Sequence, residues 1–319
     1  MPELPEVEVI KRGLARRIVN CQIQAVGILT AKSWQISSSD LSSHILGAKI
    51  IGLQRRAKLL IINLNSGFSL LIHLKMTGQL VLRQKINNDI LANISNSQNW
   101  AGGHPTNSLI GKLPDSSSRI IFTLSDNYKL FFNDQRMFGW IKLIKTNSLN
   151  TFEFIKKLGP EPFKTESDYK AYNTTPDKIV FEEFISRIKR HKNSNIKASI
   201  LDQTVLAGVG NIYADESLWM SKIHPLQKVN NLSDKQLYNL LANIIKVMKL
   251  SIKHGGSTAR NYVDSLGNRG SYLKFAKVFR REGQLCPRCL FQNRSSRIIK
   301  IKVAGRGTHI CPYCQKIKT

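Results

Sequence analysis

The sequence predicts a multidomain α+β protein: an N-terminal β-sandwich with a leading helix, a helical domain, and a small C-terminal hairpin that carries four cysteines. Three observations predict this class. Short β-type runs dominate residues 22–145, helical periodicity dominates the chain after residue 163, and two C-x-x-C pairs lie near the end. The chain has 319 residues, enough for about two domains of ~150 residues each, so the cysteine hairpin is a small addition to them.

The leading helix is expected within residues 1–20. Apolar side chains recur there at helical spacing after Pro5, at Val7, Ile10, Leu14 and Ile18. Short β-type runs follow from about residue 22 to 145, for example at 48–53, 59–64, 69–74, 119–124 and 129–133. Several short strands with turn residues and few helices between them predict a sandwich or barrel-like layer.

Two connections are predicted in this region. Residues 125–128 (Ser-Asp-Asn-Tyr) are typical of a hairpin turn between the last two strands. Residues 84–118 are rich in Asn and Ser and show no periodicity, so we expect a long surface insertion there.

The second half of the chain begins after Leu158–Phe163, where Pro160 and Pro162 predict an interdomain linker. The clearest helix starts at a capping box formed by Ser233 and Gln236, and it ends before two glycines at 255–256. We therefore divide the chain into an N-terminal domain (1–150), a helical domain (151–275) and a C-terminal hairpin (276–319).

The composition indicates a partner with many negative charges. The formal net charge is +27 and the isoelectric point is near 10.1. Residues 260–319 are rich in Lys and Arg and contain only two acids, Asp264 and Glu282. Lys and Arg that neutralise phosphates release counterions, which favours binding to a polyanion. No apolar run is long enough to span a bilayer, and the acidic N-terminus has no apolar segment of the secretory type, so we expect a soluble, non-exported protein and no membrane partner.

The four clustered cysteines predict a structural zinc site. Cys286 and Cys289 form one C-x-x-C pair and Cys311 and Cys314 form the other, which suits a closed tetrahedral Zn²⁺ site with no open ligand position. The alternatives are disulfides, disfavoured in the cytosol, or four incidental thiols.

A double-glycine turn, Ala207-Gly208-Val209-Gly210-Asn211, lies between two apolar helical stretches. Glycines allow close backbone approach, and the amides that start the following helix favour an anion, so this turn predicts phosphate binding with Asn211 as an additional donor. The alternative is an ordinary connection between two helices.

The N-terminus carries candidate catalytic groups. Removal of the initiator Met leaves Pro2 with a free secondary amine, which titrates near pH ~8 and can attack an aldehyde-level carbon to form an iminium ion. Glu3 and Glu6 are the nearby candidates for general acid or base. The alternative is a helix start rich in Pro and Glu for purely structural reasons.

Taken together, motifs along nearly the whole chain resemble the family of formamidopyrimidine-DNA glycosylases. They are MPELPEVE, RRAKLL with Lys58, HLKMTGQ with His73 and Met76, NDQRMFG at 133–139, LGPEP, the stretch 197–219, GGSTARNYVDSLGNRGSY, REGQLC, and the four cysteines with Gly305-Arg306. The family excises oxidised purines, chiefly 8-oxoguanine and formamidopyrimidines, from duplex DNA and then nicks the strand. The resemblance therefore implies a helix-two-turn-helix in the helical domain and double-stranded DNA with damaged bases as the partner. It also implies a monomer, one structural zinc, and a location in the cytoplasm at the nucleoid.

The resemblance also implies catalytic roles. Pro2 attacks C1′ of the damaged nucleotide, Glu3 acts as acid or base, Glu6 holds the N-terminal site, and Lys58 contacts phosphate and aids the β- and δ-eliminations. The family flips the damaged nucleotide out of the duplex, and the residues implied to contact DNA fall into three groups. Met76, Arg136 and Phe138 fill the space that the nucleotide leaves, and His73, Lys197, Asn211 and Arg306 grip the DNA backbone. Tyr272 and residues 255–273 close over the flipped base.

Departures from the family pattern lie near the base-reading loops. Lys75 stands where the family usually has Gly, and Gln135 stands where it commonly has Pro. Met137 occupies a position that is often Arg, and this difference puts discrimination of the opposite base in doubt. Residues Ser271–Lys274 replace the usual Gly-Tyr-Phe-Gln, which leaves the lesion range open.

Two alternatives remain open. One is an endonuclease VIII-type glycosylase for oxidised pyrimidines, which shares Pro2, Glu3, the turn and the finger. The other is a non-catalytic zinc-finger protein that binds nucleic acid, which explains the charge but has no need of a Pro N-terminus beside acids.

Overall fold

The computed structural model describes residues 2–84, 99–104, 111–163, 176–257 and 271–317. The chain divides into two compact units, Met1–Lys156 with Ile252–Tyr272, and Lys157–Ser251 with Leu273–Thr319. Within the described ranges, no helix combines the length and the apolar character needed to span a membrane.

The first unit consists of one long helix and two five-stranded sheets. Helix α1 spans Leu4–Ile18. The strands are β1 (Ile23–Ile28), β2 (Trp34–Gln35), β3 (Ile50–Arg56), β4 (Leu59–Leu64), β5 (Phe68–His73), β6 (Gly78–Gln84), β7 (Trp100–Gly103), β8 (Ser118–Leu124), β9 (Tyr128–Asp134) and β10 (Trp140–Lys145). Short helical turns occupy Ala31–Ser33, Ser38–Asp40, Leu41–Ile45, Thr146–Thr151 and Glu153–Lys156.

The two sheets have the orders β1-β8-β9-β6-β7 and β2-β10-β5-β4-β3. Neighbouring strands are antiparallel except for β2 beside β10. One apolar core joins both sheets and includes Leu60 and Ile72 from one sheet and Leu80 and Phe132 from the other. The periodic apolar residues of α1 belong to the same core. The predicted sandwich with a leading helix is therefore confirmed.

The prediction of a surface insertion over 84–118 is wrong for its middle part. Strand β7 lies there, pairs with β6, and buries Trp100 to 2% exposure. The indole lies against Gly13 of α1, where an added Cβ would stand 2.2 Å from Trp100 Nε1. This strand was not predicted because four residues between polar stretches show no periodicity, and its position depends on pairing with β6 and packing on α1. Residues 85–98 and 105–110 lie outside the described part of the chain.

The second unit is mainly helical. Its helices are α2 (Lys178–Ile188), α3 (Ile196–Leu201), α4 (Asn211–Met220), α5 (Asp234–Lys253, whose last two residues belong to the first unit) and α6 (Pro287–Phe291). Single 3₁₀ turns occupy Lys189–His191, Val229–Asn231 and Tyr272–Lys274, the last of which begins with a residue of the first unit. Strands β11 (Ile299–Val303) and β12 (Arg306–Ile310) form an antiparallel hairpin. The predicted capping box is present, since the Gln236 side chain accepts the Ser233 N–H at 2.9 Å and the Ser233 hydroxyl accepts the Gln236 N–H at 3.3 Å.

Residues Leu158–Phe163, interpreted above as a linker, are buried in the second unit. The Gly159 N–H donates to the Gln203 carbonyl at 2.9 Å, and the Pro160 carbonyl accepts the Ala207 N–H at 2.9 Å. The segment therefore packs beside the turn between α3 and α4. Its prolines suit this position because it forms no regular element.

Candidate active site and nucleic-acid interface

The start of α1 is held by Glu6. Pro2 and Glu3 are buried, and one oxygen of the Glu6 side chain accepts the Glu3 N–H at 2.9 Å. The other oxygen accepts the Ser257 N–H at 2.8 Å. Glu6 therefore fixes the backbone beside Pro2 and joins it to the segment that follows α5.

The far end of that segment is anchored nearby. The N–H of buried Tyr272 donates to the Gly256 carbonyl at 3.2 Å, and the Ser271 N–H donates to the His254 carbonyl at 2.9 Å. The predicted lesion loop lies mostly at 258–270, outside the described residues. The structure thus brings the two ends of the loop together beside the start of α1.

Sequence reasoning did not single out Glu8, which organises the turn before Lys58. Glu8 is 1% exposed and accepts hydrogen bonds from Lys11 at 2.9 Å, Arg12 at 2.8 Å and Arg55 at 3.0 Å. Arg55 also donates to the carbonyl of Ala57 at 3.1 Å. The spacing of Glu8 to Lys11 and Arg12 was the available sign of an ion pair on a helix.

Burial alone would raise the pKa of Glu8. The charge of Arg55, the hydrogen bond and charge of Lys11, and the hydrogen bond of Arg12 outweigh that effect and lower the pKa of Glu8 from 4.5 to about 2. Ala57, which Arg55 contacts, has a left-handed backbone with φ of 51° and directly precedes Lys58. The ion cluster therefore holds a strained turn in place.

His73, at the end of β5, is buried between two aromatic rings. Its ring centroid lies 5.6 Å from those of both Trp140 and Phe154, and its Nδ1 accepts the Lys75 N–H at 3.0 Å. Burial, followed by the charges of Lys75 and Lys58, lowers the pKa of His73 from 6.5 to about 3. The ring is therefore neutral at physiological pH, with its proton on Nε2.

The three side chains expected to fill the vacated space lie together on two loops. Met76 is 45% exposed on the β5–β6 loop, and Phe138 is 47% exposed on the β9–β10 loop with Arg136. The Arg136 guanidinium lies 4.8 Å from the Phe138 ring centroid and 3.2 Å from the Met76 sulfur. An open groove of about 460 Å³ lies beside them, with Lys32 and Lys75 in its lining.

The glycine turn of the second unit joins the C-terminal hairpin. Gln203 braces the turn, accepting the Gly208 N–H and donating to the Val209 carbonyl, both at 2.9 Å. Asn211 begins α4, and its amide donates to the carbonyl of Gly307 at 3.0 Å. Arg306 is exposed next to that contact. The structure therefore places two of the predicted phosphate-gripping residues next to each other.

Lys197, which the resemblance implies grips the DNA backbone, lies in the interior of the second unit. It is fully buried, and its ammonium lies 2.6 Å from Asp215 and 2.6 Å from the Thr308 hydroxyl. Asp215 also accepts the N–H of His309 at 2.9 Å. The sequence could not reveal this, because Lys197 and Asp215 lie on different helices. In the structure, Lys197 and Asp215 join α3 and α4 to strand β12.

The four cysteine sulfurs form a site that could hold a metal ion. They all lie within 4.8 Å of one another, and the close pairs are Cys289–Cys314 at 3.4 Å, Cys289–Cys311 at 3.6 Å and Cys286–Cys314 at 3.8 Å. A tetrahedral zinc with Zn–S bonds of ~2.3 Å requires sulfur–sulfur distances of about 3.8 Å. The Trp219 indole N–H points at the Cys286 sulfur at 3.4 Å, as expected around a thiolate. The donor set therefore fits the predicted zinc.

Comparisons of the sequence and of the structure with known proteins both find formamidopyrimidine-DNA glycosylases. Residues 1–141 match the model of the formamidopyrimidine-DNA glycosylase N-terminal domain, and residues 158–263 match the model of the H2TH domain of the same family. A formamidopyrimidine-DNA glycosylase from Pelotomaculum thermopropionicum is 36% identical over 100% of both chains, and one from Rickettsia conorii is 36% identical over 99% of both chains.

Solved structures give the same result. A mutant Lactococcus lactis enzyme bound to Fapy-dG DNA aligns with a TM-score of 0.78 at 31% identity, covering 99% of this chain and 100% of that one. The wild-type Lactococcus lactis enzyme with an oxidised pyrimidine in its DNA aligns with a TM-score of 0.76 at 30% identity, with the same coverage.

Proposed function

The chain belongs to the formamidopyrimidine-DNA glycosylase family of base excision repair enzymes, and from this we propose that it excises oxidised purines from duplex DNA and then cuts the strand. The substrates are 8-oxoguanine and formamidopyrimidines. The observation that carries the proposal is the arrangement at the N-terminus, where Pro2 and Glu3 are buried at the start of α1 and Glu6 fixes the backbone beside them.

The chemistry follows from the Pro2 amine once Met1 has been removed. Its nitrogen attacks C1′ of the damaged nucleotide, the glycosidic bond breaks, and the base leaves with a proton. The C1′–O4′ bond then breaks, the O4′ oxygen takes a proton, and the sugar ring opens to an iminium between Pro2 and C1′. Glu3 is the nearby acid or base for these proton transfers. The resulting iminium makes the C2′ proton acidic, so its loss breaks the C3′–O bond and a second elimination breaks the C5′–O bond. The products are a one-nucleotide gap with phosphate ends and an unsaturated sugar fragment, which hydrolysis releases from Pro2.

Lys58 and His73 contact the phosphates beside the lesion in this proposal. The ion cluster of Glu8 and Arg55 holds the turn that carries Lys58. The His73 ring is neutral and has its proton on Nε2, so it donates a hydrogen bond to phosphate without changing charge over the physiological range.

The damaged nucleotide must leave the base stack before C1′ is accessible. Met76, Arg136 and Phe138 fill the space that it vacates. A flexible apolar chain and an aromatic ring separate base pairs, and a guanidinium can bond to the orphaned base. Their mutual contacts in the free protein support this joint role.

In the second unit, Asn211 and Arg306 grip the DNA backbone. In the first unit, Tyr272 supports the loop that closes over the flipped base. Lys197 acts on phosphate only indirectly, through Asp215 and the hairpin that carries Arg306. Cys286, Cys289, Cys311 and Cys314 hold one structural Zn²⁺, which keeps this hairpin folded and takes no part in the reaction.

We further propose that the protein acts as a monomer in the cytoplasm at the nucleoid, on double-stranded DNA with damaged bases. An oxidised-pyrimidine substrate is the second candidate, because a relative with the same fold has been solved with such a lesion in its DNA. A non-catalytic zinc-finger protein is the third, and it would explain the charge without using Pro2.

One experiment separates these candidates. Mass spectrometry first establishes that the chain begins at Pro2, and borohydride trapping is then measured on duplexes with 8-oxoguanine or thymine glycol. We expect a covalent complex with 8-oxoguanine that Pro2→Gly weakens strongly and that the matched control Pro5→Gly retains. Preference for thymine glycol would favour the pyrimidine enzyme. Failure of the wild type on both substrates would favour the non-catalytic alternative.

A further inference from the structure

One buried acid connects the two loops that carry Met76, Arg136 and Phe138. The β5–β6 loop comprises residues 74–77 and the β9–β10 loop comprises residues 135–139, and we call them the wedge loops. Asp134 is the last residue of β9 and is fully buried. It is not among the residues proposed to take part in the reaction, and its side chain lies beneath both loops.

The Asp134 carboxyl group accepts hydrogen bonds from both wedge loops. One oxygen accepts the Thr77 hydroxyl from the first loop and the Arg136 N–H, at 3.2 Å, from the second. The other oxygen accepts the Gly139 N–H at 2.7 Å. The Thr77 hydroxyl oxygen also accepts the Arg136 N–H, at 3.1 Å. Asp134 and Thr77 thus form one buried network beneath the exposed side chains.

The loops need such support because each holds a residue in an unfavourable conformation. Lys75 and Met137 have left-handed backbones with φ of 49° and 53°. Non-glycine residues keep this conformation only where surrounding bonds impose it. Gly139 has no room for a side chain, since an added Cβ would lie 2.7 Å from Phe132 and 3.0 Å from Asp134. The close approach to Asp134 is therefore part of the loop geometry.

We propose that Asp134, together with Thr77, is a positioning residue that holds Met76, Arg136 and Phe138 as one rigid wedge. Insertion into a duplex meets the resistance of stacked bases, and a wedge that is already ordered does not lose further conformational freedom at that step. Asp134 acts only through the wedge, so its contribution is confined to duplex DNA. This inference rests on the proposed function for its catalytic readout, but not for its binding readout.

The variants Asp134→Asn and Thr77→Val test the network. The Asn amide places a donor where the Gly139 N–H now finds an acceptor, and the Val methyl removes both hydrogen bonds of the hydroxyl. Matched controls lie on the same sheet away from the wedge loops. They are Asp126→Asn, in the β8–β9 turn, and Thr123→Val, on β8.

The first readout compares two substrates. We expect both network variants to lose about 10- to 100-fold in excision of 8-oxoguanine from a duplex, whereas borohydride trapping on a single-stranded abasic oligonucleotide stays within about twofold of the controls, because no insertion is needed there. An equal loss on both substrates, or no loss on either, would overturn the positioning role.

The second readout requires no chemistry. A duplex carrying a tetrahydrofuran abasic analogue with a neighbouring 2-aminopurine reports unstacking as increased fluorescence at saturating protein. We expect the increase with the wild type and both controls and a smaller one with the network variants. An equal increase in all five proteins would overturn the inference. If the wild type fails to trap any substrate but unstacks the probe, only the proposed function fails.

Discussion

Replacing Glu8 by Gln is expected to remove roughly 3 kcal/mol of pH-dependent stability at neutral pH. Lowering the pKa of a carboxyl group from 4.5 to about 2 corresponds to this amount at ~1.4 kcal/mol per pKa unit. Glu8 is 1% exposed, so solvent screening reduces this free energy only slightly. The substitution also leaves Arg55, which is 3% exposed, without its carboxylate partner, and that cost does not depend on pH.

The sign of the pH dependence follows from the direction of the shift. Because the pKa of Glu8 is lower in the folded chain, its stabilisation is complete above about pH 4.5 and is lost as the pH falls toward 2. The difference in the free energy of unfolding between wild type and Glu8→Gln therefore shrinks on acidification, and at pH 3 only about 1–1.5 kcal/mol of the pH-dependent part remains.

Urea denaturation at a series of pH values, followed by tryptophan fluorescence, measures this difference. The control is Glu183→Gln, which breaks a partly exposed pair with Arg187 at 3.0 Å and should lower the free energy of unfolding by at most about 0.5 kcal/mol. A wild-type-to-Glu8→Gln difference that is the same at pH 7 and pH 3 would refute the reasoning, because the cluster would then stabilise the fold without depending on the Glu8 charge.

Three further predictions address other parts of the structure. Trp100→Ala should lower the free energy of unfolding by about 3–5 kcal/mol in urea denaturation, because it leaves a cavity between β7 and α1. As the pH falls below 6.5, the wild type should lose stability relative to His73→Gln, by about 2 kcal/mol at pH 5, because only the unfolded chain then takes up the proton. Lys197→Met should lower the free energy of unfolding by about 3–5 kcal/mol and weaken duplex binding in fluorescence anisotropy, because it leaves the buried Asp215 charge without its partner. The double variant Lys197→Met with Asp215→Asn should regain part of the lost stability and part of the lost affinity.

Each of these three predictions would be contradicted by a different result. An unchanged unfolding midpoint for Trp100→Ala would mean that β7 does not pack on α1. If the difference in the free energy of unfolding between wild type and His73→Gln does not change with pH, the His73 ring is exposed to solvent. A double variant at Lys197 and Asp215 that is weaker than the single Lys197 variant would mean that the Asp215 charge is balanced by other groups.

The part of the fold that was predictable from sequence has a local signature. Helix α1 buries apolar residues at helical spacing, β4, β5, β8 and β9 are short apolar runs, and the cysteine site shows paired spacing. Strand β7 has no such signature, because Trp100 is buried only through contact with Gly13, far away in sequence. The same applies to Leu158–Phe163, which looks like a linker until the turn near Gln203 packs on it.

The site residues divide in the same way. The motifs at Pro2, Lys58 and the wedge loops were identified from sequence because they are contiguous and resemble a family. Asp134 was missed although it lies within the NDQRMFG motif, because its partners Thr77 and Gly139 become visible only when the two loops are folded together. The burial of Lys197 was missed for the converse reason, since a lone basic residue in a basic chain gives no sign of burial.

Five buried acids hold backbone segments and basic side chains in place in a chain with a net charge of +27. Glu6 binds backbone N–H groups at the N-terminus and after α5, Glu8 binds the Arg that supports the turn before Lys58, and Asp134 binds both wedge loops. Asp215 holds the C-terminal hairpin, and Glu216 accepts the N–H groups of residues 277–279 at 2.7–2.9 Å.

Each of these carboxyl groups is almost fully buried, and its hydrogen-bond partners lie in or next to an element that carries residues proposed to contact DNA. An exposed acid in these places would repel phosphate, whereas a buried one that accepts several hydrogen bonds orders the backbone without presenting its charge to DNA. These five acids are therefore better explained as internal supports for the proposed DNA-binding surface than as groups distributed for solubility. Neutralising one of them should disturb the DNA-facing element that it supports more than it changes the overall attraction to DNA.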